Sequence, residues 1–155
     1  MANIIPLSIE HIDGICKIEN ESFSDPWSRR MFLELIDNPL AVCYVAMDED
    51  AEVAGYLIAY CILDEIQILN IAVKESKRHK KIATELFGVI LKYAKSEKIK
   101  EFYLEVRPSN TGAIALYKKL GFKIDGVRKN YYIKPKEDAL LMSLRLDIAV
   151  NFIGG

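Results

Sequence analysis

The run Val53 to Leu63, VAGYLIAYCIL, contains no charged side chain. It offers no polar face to water, so as a strand it must be covered on both sides. It is also too short to cross a bilayer, which takes about 20 apolar residues. The chain is therefore expected to build a sheet with this strand near its centre and cover on both faces. Asp64-Glu65 reads as a turn into a second strand, Ile66 to Val73.

The rest of the sequence supplies further strands and the covering layers. Ile4-Ile5-Pro6-Leu7 reads as a short strand, and Ser8 can cap a helix from about Ile9 to Ser22. Ile9, Ile12, Ile15, Cys16 and Ile18 recur there at helical spacing. Ser24-Asp25-Pro26-Trp27-Ser28 breaks the pattern, and Ser28 caps a second helix that starts near Arg29 and ends before Asn38-Pro39. Ala41 to Met47 is a strand, with Asp48-Glu49-Asp50 as its turn. Ile82 to Glu97 is a helix with Ile82, Leu86, Phe87, Ile90, Leu91 and Ala94 on one face. Phe102, Leu104 and Val106 alternate with Tyr103, Glu105 and Arg107, as in a strand with one buried face. Ser109 or Asn110 caps another helix, and Gly121 stands where a left-handed stop belongs. Lys123 to Tyr132 and Leu140 to Leu146 finish as strands. The order β-α-α-β-β-β-α-β-α-β-β predicts a mixed α/β (α+β) fold, not a purely parallel repeat.

Composition narrows the class. At 155 residues, with no repeat or linker, the chain reads as one domain spanning 1–155. It is 51% hydrophobic and 28% charged, which fits a globular chain. A net charge of -1 argues against nucleic-acid binding driven by overall charge. Cys16, Cys43 and Cys61 are odd in number and widely spaced, which suits reduced core thiols. The N-terminal MANIIPLSIEHIDG lacks the pattern of a signal peptide, so a cytoplasmic location is expected, with no membrane partner. His11 and His79 have no metal-ligand spacing, and no metal is assigned.

One charged segment stands apart. Lys77-Arg78-His79-Lys80-Lys81-Ile82-Ala83-Thr84 lies between a strand and the start of the longest helix. The first N–H groups of a helix lack internal partners and carry partial positive charge, so a diphosphate could sit there with the lysines as outer clamps. A solvated surface run is the other reading. The loop has no glycine before Ile82. Lys81 can still offer its N–H from an ordinary helical conformation, with its side chain outward, and Ala83 permits close approach.

Three more segments complete a pattern: Leu69-Asn70-Ile71-Ala72-Val73, Leu104-Glu105-Val106-Arg107-Pro108-Ser109-Asn110, and Ala113-Ile114-Ala115-Leu116-Tyr117-Lys118-Lys119-Leu120-Gly121-Phe122. In this order and spacing the chain resembles the GNAT-type N-acetyltransferases. Phe23…Pro26-Trp27-Ser28, Leu63-Asp64-Glu65, Arg128…Asn130-Tyr131-Tyr132 and Glu137-Asp138-Ala139 are similar to one branch, the ribosomal-protein-alanine N-acetyltransferases. The resemblance covers roughly residues 4 to 146. It implies the GNAT fold, a strongly twisted mixed sheet of about seven strands flanked by about four helices, and acetyl-CoA as cosubstrate. The family's pyrophosphate loop, Arg/Gln-x-x-Gly-x-Gly/Ala, corresponds to Arg78 through Ala83, with Lys81 in place of the first glycine.

The resemblance also implies roles. Glu105 would deprotonate the acceptor ammonium, and Tyr117 would protonate the leaving thiolate. The backbone of Ile71, Ala72 and Val73 would pair with the pantetheine arm and polarise the acetyl carbonyl. His79, Lys80, Lys81, Ile82, Ala83 and Thr84 would hold the diphosphate, and Asn110 would contact the coenzyme. For each side chain a plainer role stays open: Glu105 as an exposed carboxylate or partner of Arg107, Tyr117 as a core residue, Asn110 as a helix cap. Phe23, Pro26, Trp27, Tyr131 and Tyr132 could wall a peptide groove, and Glu137 or Asp138 could attract a basic peptide. The expected acceptor is a protein N-terminus, that of an alanine-starting ribosomal protein. A lysine or small amine as acceptor is the alternative within the enzyme class, and a non-catalytic CoA-binding module is the alternative outside it. A covalent acetyl-cysteine is not expected.

Overall fold

A computed structural model of the chain describes residues 2–78 and 81–146. Seven strands form one sheet: β1 (Asn3–Pro6), β2 (Ala41–Met47), β3 (Val53–Ile62), β4 (Glu65–Val73), β5 (Glu101–Val106), β6 (Lys123–Ile133) and β7 (Lys136–Arg145). Their spatial order is β1-β2-β3-β4-β5-β7-β6. Every neighbouring pair is antiparallel except β4 and β5, which run parallel. Four α-helices complete the fold: α1 (Ile12–Ser22), α2 (Arg29–Ile36), α3 (Ile82–Ser96) and α4 (Thr111–Lys119).

Strand β3 is central and covered on both sides, as its composition requires. Leu57 and Ala59 face one core with Leu86, Phe87, Ile90 and Phe102, while Tyr56 and Ile58 face a second with Ile12, Ile15, Ile18 and Phe32. Helices α1 and α2 therefore cover one face and α3 the other. Phe87, Phe102 and Phe122 form an aromatic group in the first core, with ring centroids 5.2 to 6.4 Å apart. Among the described residues, no helix is long and apolar enough to cross a membrane.

Local chemistry sets the element ends. Ser28 caps α2, its hydroxyl accepting from the Met31 N–H at 3.3 Å, and Asn110 caps α4, accepting from the Ala113 N–H at 3.2 Å. Gly121 ends α4 at φ +104°, where a Cβ is disfavoured. Two boundaries differ from the sequence reading by more than a residue. The first helix opens as a 3-10 turn, Ile9–His11, before α1. There the Ser8 N–H donates to His11 Nδ1 at 3.0 Å, so buried His11 is a structural acceptor. The last strand starts at Lys136, not Leu140, because Lys136 and Glu137 pair with Ile133 and Tyr132 of β6, and the polar side chains find donors: Ser109 N–H, in the β5–α4 loop, for Glu137 and Asn130 N–H for Asp138.

The site follows from one feature of the sheet. Parallel pairing of β4 with β5 covers only Glu65–Ile68 against Glu101–Leu104. Strand β4 is also irregular against β3 between Ile68 and Asn70. Beyond this point β4 and β5 separate, and among the described residues the β4 edge from Leu69 to Val73 has no strand partner on that side.

Gly55 holds β3 close beneath that edge. A Cβ added there would lie 2.9 Å from the Ala72 carbonyl oxygen and 3.3 Å from Ile82 Cγ2. Gly55→Ala is expected to lower the unfolding free energy by about 1–3 kcal/mol, read as an earlier midpoint in urea, because backbone must move to admit the methyl group.

Candidate active site

The parting of β4 and β5 opens into two adjoining cavities. The first, of about 630 Å³, lies between Ile71, Ala72 and Val73 of β4 and Asn110, Gly112, Ala113 and Leu116 at the start of α4. Its floor is the beginning of α3: Lys81, Ile82, Ala83 and Thr84. The second, of about 510 Å³, is lined by Glu105 and Arg107 of β5, Tyr117 of α4 and Tyr132 of β6. Glu19 and the loop carrying Phe23, Pro26 and Trp27 close its other side. Ser22, Phe23, Ile71, Asn110 and Ala113 line both cavities, so the two meet there.

The cavities differ in charge. Lys77, Arg78, Lys81 and Lys119 line the first, with no carboxylate among its described lining residues. Glu19, Asp25 and Glu105 line the second, with Arg107 as the single cation among its described lining residues. The first suits an anion and the second a cation.

At the α3 start the structure corrects the conformation expected of Lys81. It is not helical: Lys81 takes left-handed geometry at φ +63°, ψ +17°, and its carbonyl accepts the Glu85 N–H at 2.9 Å to begin the helix. It reproduces the conformation a glycine would take there, despite its Cβ. The first N–H groups of α3 remain without helical partners beside the cavity. Lys77 is held by Glu49 at 3.3 Å and Asp48 at 3.9 Å, and Arg78 Nε donates to the Val73 carbonyl at 3.1 Å. His79 and Lys80 lie outside the described residues.

Glu105 occupies the face of β5 opposite buried Phe102, Leu104 and Val106, as alternation predicts. It does not pair with Arg107. Its Oε1 lies 3.6 Å from Arg128 on β6, while its buried Oε2 takes no hydrogen bond from any described residue. Arg107 points instead to the β6–β7 turn, donating to the carbonyls of Pro135 at 2.7 Å and Lys134 at 2.9 Å. It also pairs with Glu137 at 3.5 Å and lies over the Tyr132 ring at 4.1 Å. Glu137 further accepts from the Ser109 N–H and hydroxyl, so it braces the hairpin and is not free for a basic peptide.

Tyr117 is buried, packs against Phe122, and reaches the second cavity. Burial, reinforced by Tyr132, pushes its phenol above the ordinary value of 10.0, so it keeps its proton at neutral pH. Tyr132 is likewise pushed up to about 12, chiefly by burial and then by Glu105. Tyr131 is more exposed and does not line the cavity; the Glu105 carboxylate beside it raises its phenol, and burial adds to this. The three cysteines are unpaired, line neither cavity, and have thiols raised by burial, Cys43 to about 11.

The sequence reading did not single out Glu19 or Arg128 for a role of its own. Glu19 follows Ile12 and Ile15 on the buried stripe of α1, and a carboxylate at such a position was the available signal. Arg128 appeared only within a motif of the family resemblance, and its approach to Glu105 depends on β5 and β6 flanking β7, which no local spacing shows.

A protein-family model described as Acetyltransferase (GNAT) family matches residues 12–122. The chain belongs to the GNAT family. It is an acetyl-CoA-dependent N-acetyltransferase. This GNAT chain is 39% identical over 137 residues to a putative [ribosomal protein bS18]-alanine N-acetyltransferase of Bacillus subtilis, covering 88% of the chain and 90% of that relative. It is 35% identical over 148 residues to an N-alpha-acetyltransferase of Sulfurisphaera tokodaii, covering 87% of each. The crystal structure of the ribosomal-protein-S18-alanine N-acetyltransferase from Escherichia coli superposes with a TM-score of 0.85 at 28% identity, covering 94% of each chain.

The cationic cavity offers what an anionic cosubstrate needs: helix N–H groups, lysines, and a strand edge with no strand partner among the described residues. Lys81→Gly is expected to raise the unfolding free energy by about 1 kcal/mol by removing the left-handed penalty on a Cβ-bearing residue. Lys81→Ala keeps the Cβ and is expected to give no such gain. Urea unfolding of the two variants separates backbone geometry from lost charge.

Proposed function

We propose that this GNAT enzyme acetylates the N-terminal α-amine of a protein, with an alanine-starting ribosomal protein as acceptor, in the cytoplasm, the whole chain acting as one domain. The observation that carries this reading is the pair of joined cavities of opposite charge. An anionic donor enters one, a cationic amine enters the other, and their reacting groups meet at the shared wall. The named activities of the Bacillus subtilis and Escherichia coli relatives support the choice of acceptor.

Acetyl-CoA supplies the acetyl group as a thioester. The acceptor must shed a proton before it can attack. In this reading Glu105 takes that proton, supported by its buried Oε2, which accepts no hydrogen bond from a described residue. An N-terminal amine, with a reference pKa of about 8, is easier to neutralise near pH 7 than a lysine at about 10.4. Tyr117, kept protonated by burial, donates its O–H to the departing sulfur. The β4 edge at Ile71, Ala72 and Val73 and the α3 start hold the donor, and Asn110 fixes α4 against it. In this reading Phe23, Pro26, Trp27 and Tyr132 wall the acceptor groove.

The deciding assay supplies acetyl-CoA with short peptides that differ only at the N-terminus, and with a lysine peptide whose N-terminus is blocked. Transfer to free α-amines, fastest with alanine first, is expected. Transfer to the blocked lysine peptide would favour the lysine reading instead.

Two substitutions separate the catalytic roles. Tyr117→Phe is expected to cut kcat by about 10²-fold or more while leaving the acetyl-CoA Kd nearly unchanged. Glu105→Gln should move the rising limb of the pH–rate profile towards alkali, since the amine must then lose its proton unaided. In the unaltered enzyme Tyr117 is raised above its ordinary 10.0, so its ionisation should add no falling limb below that pH. An unmoved profile in Glu105→Gln would remove Glu105 as base.

A further inference from the structure

The carboxylate of Glu19 is almost wholly buried near the C-terminal end of α1, and the chemistry above does not use it. Among the described residues no lysine, arginine or histidine pairs with it. Its charge is met by three neutral donors. Oε2 accepts the Trp27 backbone N–H at 2.8 Å, and Oε1 accepts the Asn70 side-chain amide at 2.6 Å and the Tyr56 hydroxyl. A buried carboxylate is costly unless such bonds are made, so the arrangement holds its donors firmly.

Those donors lie on separate elements: the α1–α2 loop, β4 at its irregularity, and β3. Aromatic packing closes the circuit. The Trp27 ring lies 5.2 Å from Phe32, and Phe32 packs edge-on against Tyr56 at 6.0 Å. The loop so tied carries Phe23, Pro26 and Trp27, one wall of the acidic cavity. Asn70 lines the same cavity one residue from Ile71, where the two cavities meet.

We infer that Glu19 is a positioning residue for the acceptor: it latches the Trp27 loop to β3 and β4, and so sets the width of the acceptor cavity. The inference rests on the acceptor occupying that cavity, as proposed above. It requires no proton transfer by Glu19.

Glu19→Gln is the discriminating variant. Its amide oxygen can still accept from Asn70 and Tyr56, but its NH₂ then faces the Trp27 N–H, donor against donor. Trp27 is the only tryptophan, so acrylamide quenching of fluorescence reads the loop directly, with no acceptor present. Expected are a quenching constant raised about twofold or more by local opening, and a peptide KM raised about tenfold with a smaller fall in kcat. The acetyl-CoA Kd should stay nearly constant, because the cationic cavity does not contain Glu19. Unchanged quenching and KM in a folded variant would overturn the inference, as would equal losses of peptide and acetyl-CoA binding. Where Glu19→Gln does not fold, Tyr56→Phe removes one anchor of the carboxylate. It should shift quenching and KM in the same direction by less, and no shift overturns the latch. If the unaltered enzyme fails to acetylate the peptide, the acceptor reading falls, while quenching still decides whether Glu19 holds the loop.

Discussion

Parallel pairing between β4 and β5 stops at Ile68 and Leu104, and the remaining architecture is arranged around that stop. Backbone N–H and C=O groups on an open strand edge want partners, and within a sheet they would find them in the next strand. Here the next strand turns away. The core explains how the gap is tolerated: β3 is packed on both faces, and β5 is fixed by six register pairs with β7. The two halves of the sheet are each secured on their far sides, so the opening between them does not depend on its own contacts.

The gap gathers residues from distant parts of the chain. The start of α3 brings positive charge to one end, while α1 and β5 bring carboxylates to the other. The Arg107 side chain, held by two turn carbonyls, Glu137 and the Tyr132 ring, ties β5 to the β6–β7 hairpin and sets Tyr132 against the cavity. Opposite charges within one cleft would cancel if they could pair. They are kept apart because the cations sit on the segment leading into α3 and at the end of α4, while the carboxylates sit on α1, the loop after it and β5.

Much of this was legible before any coordinates. The element order, the central place of β3, the caps at Ser28 and Asn110, and the inward and outward faces of β5 all follow from periodicity and local chemistry. The basic run leading into α3 was legible too, because charge and the strand-to-helix pattern show in the sequence, and Lys77, Arg78 and Lys81 line a cavity. What escaped depends on contacts between remote segments. No spacing rule ties Glu19 to Tyr56 and Asn70, or Glu105 to Arg128. Lys81 escaped for another reason: propensity assigns a lysine at a helix start ordinary dihedral angles, and the demand of the loop overrides it. Glu137 and Asp138 looked like free charges because sequence does not say that the hairpin would use them as hydrogen-bond acceptors.

The sign of the second cavity bears on how a turnover ends. On the reading proposed above, an acceptor ammonium is drawn towards Asp25 and Glu105 by charge, but an acetylated amine is a neutral amide. The modification thus erases the property that retained the peptide, and the finished chain leaves a pocket that no longer attracts it. Coenzyme A keeps its phosphates after the transfer, so on the same reading its hold on the cationic cavity survives the chemistry. On the proposed reading the peptide departs first and the spent carrier last, an asymmetry written into the wall charges alone.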